Sequence, residues 1–518
     1  MTSDFSRRHF LLTSAAAGLV PFALGLPAAR AAAGGTVTLR LGDDLSNLDP
    51  AYRVGTVEGN ILRAVCQQLA KFKPGSLDWE PDAAKTITQN SDTEIEFELN
   101  PGQMFHGGYG EMTAEDVKFS FERFTKPDKT GAMVPYADDF AALDHVEVTG
   151  TYTGKLILKN PAPAIWTIGI CDASGTILSK KAFEALGDKV ATQAIGTGPY
   201  LFKEWKAREH VILAANPDYK GADTAPFAEL TLKPIVENRT ALLALMAGEV
   251  ALTETDVTAE DELAKAKANG IETLKIDGID YTWIGINVEK GPLADLKVRQ
   301  AIRLGIDVQS ILDGAYGGKV GRANSLLAPA LLGYWAEAPV YNRDPAAAKA
   351  LLAEAGQTGI ALTFTCLNDA ISQATAQIVQ ANLAEIGITL TINAIDPGAY
   401  WAMGSGDASK DLDLTLIPYT SKFDPGFQTQ WFVSAQVGVW NWQRWKSEEF
   451  DKLNKEAGST LDKAVRQEKY VRMQQLLDES ASCVWITHGA HLFGYAKTLK
   501  PVMLPDGTDW QLRDFAPA

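Results

Sequence analysis

Cysteine and histidine are both scarce, with 4 and 6 copies in 518 residues. Cys66, Cys171, Cys366 and Cys483 are too widely separated for a metal-ligand spacing or a disulfide framework; two bridges in any of three pairings, or four buried free thiols, are open to them. The one close histidine pair, His488-Gly489-Ala490-His491, has no carboxylate or thiolate at ligand spacing, and its neighbours Val484, Trp485 and Ile486 read as a buried strand, so no metal site is expected there. Positive charge is also in deficit. With 48 Lys and Arg against 64 Asp and Glu the net charge is −16 and no stretch is locally basic, which argues against a nucleic-acid or anionic-membrane surface.

Organised catalytic residues are equally hard to find. There is no G-x-S-x-G elbow, S-x-x-K, H-E-x-x-H or helix-opening G-x-G-x-x-G, so neither an enzyme nor a bound cofactor is expected. Residues 314–319 look superficially like a phosphate loop, but the glycine-to-lysine spacing is one residue short and Val320 stands where Ser or Thr should follow.

Long apolar runs are confined to residues 10–26, where Pro21 and several small residues suit a signal peptide better than a membrane span. Ser6-Arg7-Arg8-His9-Phe10-Leu11 resembles the twin-arginine export signal, and Ala29-Arg30-Ala31 supplies a small-x-small site with cleavage after Ala31. Losing Arg7, Arg8, Arg30 and Asp4 would change the net charge from −16 to −18. The first cysteine, Cys66, is far from that site, so no lipid anchor is expected.

What is present is ordinary globular composition, 46% hydrophobic and 22% charged, in a chain long enough for two or three folding units. Residues 36–41 alternate as a strand and residues 59–69 read as a helix. Thr113 to Asp116 forms a helix start with Val117, Phe121 and Phe124 on one inward face. Alternation over residues 361–367, helical spacing from Thr375 to Ile386 stopping at Gly387, and renewed alternation over residues 388–392 predict a βαβ unit in a parallel or mixed sheet. Trp431, Trp440, Trp442 and Trp445 cluster; Trp440 and Trp442 would share a face of a strand, as a core layer or as a ligand-stacking platform.

Six blocks, in order, carry a resemblance. Leu48-Asp49-Pro50 follows the first strand, and Phe105-His106-Gly107-Gly108 precedes Thr113-Ala114-Glu115-Asp116-Val117. Gly196-Thr197-Gly198-Pro199-Tyr200 is followed by Trp205 and Asn216-Pro217-Asp218-Tyr219, and Val298-Arg299-Gln300-Ala301-Ile302 follows Asn287. Asp344-Pro345 leads into Lys349-Ala350-Leu351-Leu352-Ala353-Glu354-Ala355-Gly356. The chain resembles the peptide, dipeptide and nickel family of periplasmic solute-binding proteins that serve ABC importers.

The resemblance implies an α/β protein of two lobes joined by hinge strands, a type II periplasmic binding protein with an extra subdomain. Residues 32–60, 181–270 and 490–518 would form lobe I, 61–180 its extra subdomain, and 271–489 lobe II. It would be a soluble periplasmic monomer that encloses a peptide or peptide-like solute and delivers it to a permease driven by cytoplasmic ATPases. An opine- or sugar-type solute, a metal chelate, or service to a chemoreceptor are the alternatives. Val54, Gly55 and Thr56 from one lobe and Tyr419, Thr420 and Ser421 from the other match segments that grip extended ligands by strand addition. Trp440 and Trp442 lie where such relatives line the cleft, which favours stacking. His488 matches a histidine of the last lobe-crossing strand, as a ligand contact or a structural hydrogen bond. Gly196 to Pro199 suits a structural turn.

Two departures bear on the ligand. Ser421 stands where peptide-binding relatives place an Asp for the α-ammonium, and Asn368-Asp369-Ala370-Ile371 lacks the Arg with which dipeptide binders meet a carboxylate. Zwitterionic dipeptides are therefore expected to bind poorly unless Asp424, Lys422 or Arg444 takes over.

Overall fold

The computed structural model describes residues 34–221 and 224–518; the export signal expected at residues 1–31 lies outside them. Among the described residues, four sheets of three or more strands organise the chain. The first strand, Gly34–Leu41, runs parallel to Phe227–Pro234, and the sheet continues antiparallel through His210–Ala215 to Tyr200–Lys206. Leu39, Leu230 and Leu213 are fully buried on it, as alternating apolar residues on a half-covered sheet must be.

A second, antiparallel sheet is ordered Ala84–Ser91, Glu94–Leu99, Thr153–Leu158, Leu143–Val148. The helix Ala114–Glu122 belongs with it. Asp116 Oδ2 accepts from the Thr113 amide at 3.0 Å and from its hydroxyl at 2.9 Å, satisfying donors that an uncapped first turn would leave open. Val117, Phe121 and Phe124 face inward and are buried, as their spacing predicts.

The third sheet is mixed, in the order Thr389–Ile395, Ala361–Leu367, Leu414–Tyr419, Tyr281–Ile286, Cys483–Thr487. Of its two parallel pairings, the one between the first two strands is the predicted βαβ unit, with Ala361 beside Thr389 and Leu367 beside Ile395. Asp369 caps the connecting helix Ala370–Ala384 by accepting from the Ser372 amide, and Gly387 supplies the left-handed turn back, at φ +85°.

A fourth sheet places Ala490–Ala496 between Leu252–Thr255 and Ile271–Asp277. The chain passes between this sheet and the mixed one twice, from Asp277 to Tyr281 and from Thr487 to Ala490. The two crossings touch: the Gly278 amide donates to the Gly489 carbonyl at 3.1 Å, and a Cβ on Gly278 would sit 2.5 Å from the His488 carbonyl oxygen. The result is a two-lobed α/β protein with paired crossing strands.

Three local expectations are resolved. All four cysteines are free and buried. The helix expected over residues 59–69 runs over Thr56–Val65, because Glu58 reaches back to the Gly55 amide at 3.1 Å and starts it earlier. Trp440-Asn441-Trp442 is a turn, not a strand: the side-chain Nδ2 of Asn441 donates to the carbonyls of Phe432 and Trp445, at 2.9 and 2.8 Å, and folds the segment on itself.

Candidate functional site

A cavity of about 380 Å³ lies beside the crossings. Its wall is assembled from distant stretches: residues 53–56 at the start of the first helix, Tyr136 and Asp172 from the antiparallel-sheet unit, Ile279 and Asp280 in a crossing, Thr420 to Phe423 after a mixed-sheet strand, and Asp506, Thr508 and Asp509 near the C-terminus. Val54, Gly55, Thr56, Thr420 and Ser421 of the expected site residues line it; Tyr419, Trp440, Trp442 and His488 do not.

The two backbone segments face the same space with part of their donor capacity spent. The Gly55 amide is bonded to Glu58, and the Ser421 amide donates to Asp280 Oδ1 at 2.8 Å. Tyr419 belongs to an aromatic layer and donates its hydroxyl to the Trp440 carbonyl at 2.9 Å.

Trp442 does not fit the stacking expectation. It is 1% exposed, its indole N–H donates to Val439 O at 2.8 Å, and Tyr400 meets its ring at 5.2 Å, so the whole indole is enclosed. Trp440 is half-buried beside Trp401, Tyr419 and Trp431, at 6.4, 5.9 and 6.0 Å. From Trp431 the rings continue to Phe427 at 5.6 Å, whose face lies 5.6 Å from the Lys422 ammonium, so an aromatic path leads from the cavity to Trp440.

His488 holds the crossing together. Its Nδ1 lies 2.9 Å from the Asp280 carbonyl oxygen, which makes that nitrogen the donor, and burial pulls its pKa down to about 4, so the ring stays neutral. His491, the other member of the pair, lines the cavity and instead lies 2.8 Å from Glu254 Oε1; burial works against its charge, but Glu254 raises its pKa.

Ionic side chains dominate the wall; of these the sequence reading named Lys422 and missed the rest. Arg53 reaches Asp172 Oδ2 at 3.0 Å, while Arg63 binds Asp172 Oδ1 at 3.1 Å and Asp509 Oδ1 at 2.8 Å. Burial alone would raise the Asp172 pKa, but the two guanidinium groups hold it below the usual carboxylate value. Lys422 pairs with Asp139, whose side chain is 2% exposed. This pair, and the edge-on contact of Phe72 with Phe423 at 5.3 Å, ties the loop after Leu414–Tyr419 to the antiparallel-sheet unit. The other two groups suggested as ligand partners are committed elsewhere: Asp424 to Arg466 at 2.8 Å, and Arg444 to Glu289 at 2.6 Å.

Three resembling blocks meet away from the cavity. The His106 amide donates to Gly196 O at 2.9 Å, the Gly198 amide to Val65 O at 2.8 Å, and Asn216 Nδ2 to Gly198 O at 3.0 Å. A Cβ on Gly196 would lie 2.3 Å from Val65 O, so these glycines permit close backbone approach at a structural junction.

Relatives decide the class. A family model described as bacterial extracellular solute-binding proteins, family 5 middle, matches residues 78–438. The chain belongs to that family. This family 5 protein is 26% identical over 471 residues to the probable D,D-dipeptide-binding periplasmic protein DdpA of Escherichia coli K12, covering 88% of this chain and 89% of that one. It is 25% identical over 474 residues to the glutathione-binding protein GsiB of Salmonella typhi, covering 89% and 90%. Its fold matches HbpA2 from Haemophilus parasuis with a TM-score of 0.85 and 24% identity, over 93% of this chain and 100% of that one. Among the described residues of the family 5 protein, no helix is long and apolar enough to cross a membrane.

Proposed function

We propose that this protein is the periplasmic receptor of an ABC importer, exported through a twin-arginine signal and free of a lipid anchor. It captures a peptide or peptide-like solute and presents it, unaltered, to the permease. The observation that carries the reading is the cavity itself: its wall comes from both sides of the paired crossings, so a solute seated there contacts both lobes at once. Its relatives include a probable D,D-dipeptide-binding protein and a glutathione-binding protein, which supports a small peptide-like cargo.

In this reading lobe I comprises residues 32–60, 181–270 and 490–518, with residues 61–180 as its subdomain, and lobe II comprises residues 271–489. A solute stabilises the closed arrangement in proportion to its additional contacts with the second lobe, and the permease responds to that population. Turnover of the solute plays no part.

Small-angle scattering of the monomer tests closure. Saturating solute should reduce the radius of gyration, and an unchanged profile with proven binding would rule out lobe closure. Trp440 at the end of the aromatic path should stack on the outer part of the solute. Trp440→Ala is then expected to weaken calorimetric binding by about 1–3 kcal/mol while leaving the melting temperature nearly unchanged. Unaltered affinity would remove Trp440 from the site.

A further inference from the structure

A larger cavity, of about 840 Å³, lies behind the one beside the crossings. Its walls are the helix Ala114–Glu122 and the loop after it, the helix Lys180–Leu186 and its following turn, and residues of the segment 47–52. No residue lines both cavities, but two short stretches divide between them. Tyr52 lines the outer cavity and Arg53 the inner; Val134 lines the outer and Tyr136 the inner. This partition is held together: the Tyr52 amide donates to Asp49 O at 2.9 Å, the Ala137 amide to Val134 O at 3.0 Å, and the Arg53 guanidinium lies 3.7 Å over the Tyr136 ring.

The outer cavity combines an apolar floor with a basic edge. Phe119 and Phe183 meet edge-on at 5.2 Å, the Arg123 guanidinium lies 4.3 Å over the Phe183 ring, and Val134 and Val190 add aliphatic surface. Most of its charges are matched. Arg123 is bonded to Asp49 at 2.5 Å and Lys129 to Asp188 at 2.9 Å. Asp128 accepts from the Tyr52 and Thr130 hydroxyls and the Thr130 amide, at 2.5, 2.6 and 2.8 Å. Glu115 and Lys180, of opposite charge, stand at one end, where the Lys180 amide donates to Asp116 Oδ1 at 3.0 Å. Glu122, however, serves two cations. Its Oε1 lies 3.1 Å from the Lys118 ammonium, which also donates to Val146 O at 2.7 Å, and its Oε2 lies 2.6 Å from that of Lys126. The Lys126 side chain is 66% exposed, and among the described residues Glu122 is the carboxylate it meets, so an ammonium with donors to spare stands at the cavity edge.

We propose that the outer cavity is a second binding site, for a small molecule that carries a carboxylate on an apolar ring or chain: the apolar body lies on Phe119 and Phe183, and the carboxylate meets the Lys126 ammonium. A concave, mostly apolar space of this size with a convergent charged group is what such a molecule needs. Its occupant touches Asp49, Tyr52 and Val134 from behind and thereby stiffens the stretch that presents Arg53 to Thr56 to the inner cavity.

Phenylacetate, indole-3-acetate and octanoate, with their amides and the amines of the same skeletons, test the site on the full chain by calorimetry, and hydrogen–deuterium exchange locates it. The carboxylates should bind and slow exchange within residues 118–134 and 180–191, with the amides weaker by about fivefold or more. Lys126→Glu should weaken the carboxylates by about tenfold and spare the amides, while Lys126→Arg keeps affinity. Val190→Trp, which fills the cavity, should abolish both; melting temperatures verify folding, and the exposed Lys126 makes its variants safe in that respect. Carboxylate affinity unchanged in Lys126→Glu, protection confined to the inner cavity, or no binding at millimolar concentration overturns the proposal. Preference for the amides or amines overturns the charge assigned to the ligand. Slower exchange at residues 53–56 is expected on binding, and unchanged exchange there overturns the link between the cavities. These outcomes do not depend on what binds beside the crossings.

Discussion

Arg466→Met is expected to lower the unfolding free energy by about 3–5 kcal/mol, because it leaves the Asp424 carboxylate buried without its counter-charge. Asp424 and Arg466 are 4% and 5% exposed. One guanidinium nitrogen lies 2.9 and 2.8 Å from the two carboxylate oxygens, and Nε donates to the Ala457 carbonyl at 3.0 Å. Asp424 also starts the helix Pro425–Thr429 by accepting from the Gly426 amide at 2.9 Å, so an unbalanced carboxylate would disturb the chain directly after the cavity loop. Replacing both partners removes the stranded charge. The double variant Asp424→Asn with Arg466→Met should therefore lose less than the sum of the single losses, by about 1 kcal/mol or more. Denaturant unfolding of the four proteins measures the coupling, and additive losses, or a single loss below about 1 kcal/mol, would show that the pair is not coupled as described.

Trp442→Ala should cost a similar amount, about 3–5 kcal/mol, through the cavity it creates and the carbonyl it strands. The indole is closed in on several sides. Tyr400 and Trp401 approach its ring at 5.2 and 5.9 Å, and a Cβ on Gly404 would come within 3.1 Å of Nε1. Trp442→Phe keeps most of the volume and loses the hydrogen bond to Val439, so it should recover more than half of the loss. The contrast with Trp440 separates the two roles: the melting temperature should fall steeply for Trp442→Ala and hardly at all for Trp440→Ala. Wild-type stability combined with weakened binding in Trp442→Ala would return that residue to the ligand site.

The two tryptophans also mark where linear pattern stops being informative. Their i, i+2 spacing would put both on one face of a strand, but Asn441 between them bonds the carbonyls of Phe432 and Trp445 and bends the segment into a turn. One indole is driven fully inside and the other left half-buried. By contrast, the βαβ unit from Ala361 to Ile395 follows the pattern closely. Alternation selects strand, 3.6-residue spacing selects helix, and Asp369 and Gly387 punctuate the ends, all through interactions within a few residues.

The sequence by itself therefore determined the things that depend on near neighbours and on ordered blocks: the α/β class, the inward face at Val117, Phe121 and Phe124, the βαβ unit, and membership of a solute-binding family. It also singled out five residues, Val54, Gly55, Thr56, Thr420 and Ser421, that line the cavity. Only the tertiary structure decided the ionic wall. Arg63 and Asp509 lie 446 positions apart, and Lys422 and Asp139 283 apart, yet each pair is in contact. No local periodicity records such partners, because the energy that joins them arises only after separate sheets have folded and brought opposite charges into a shared, partly dry space.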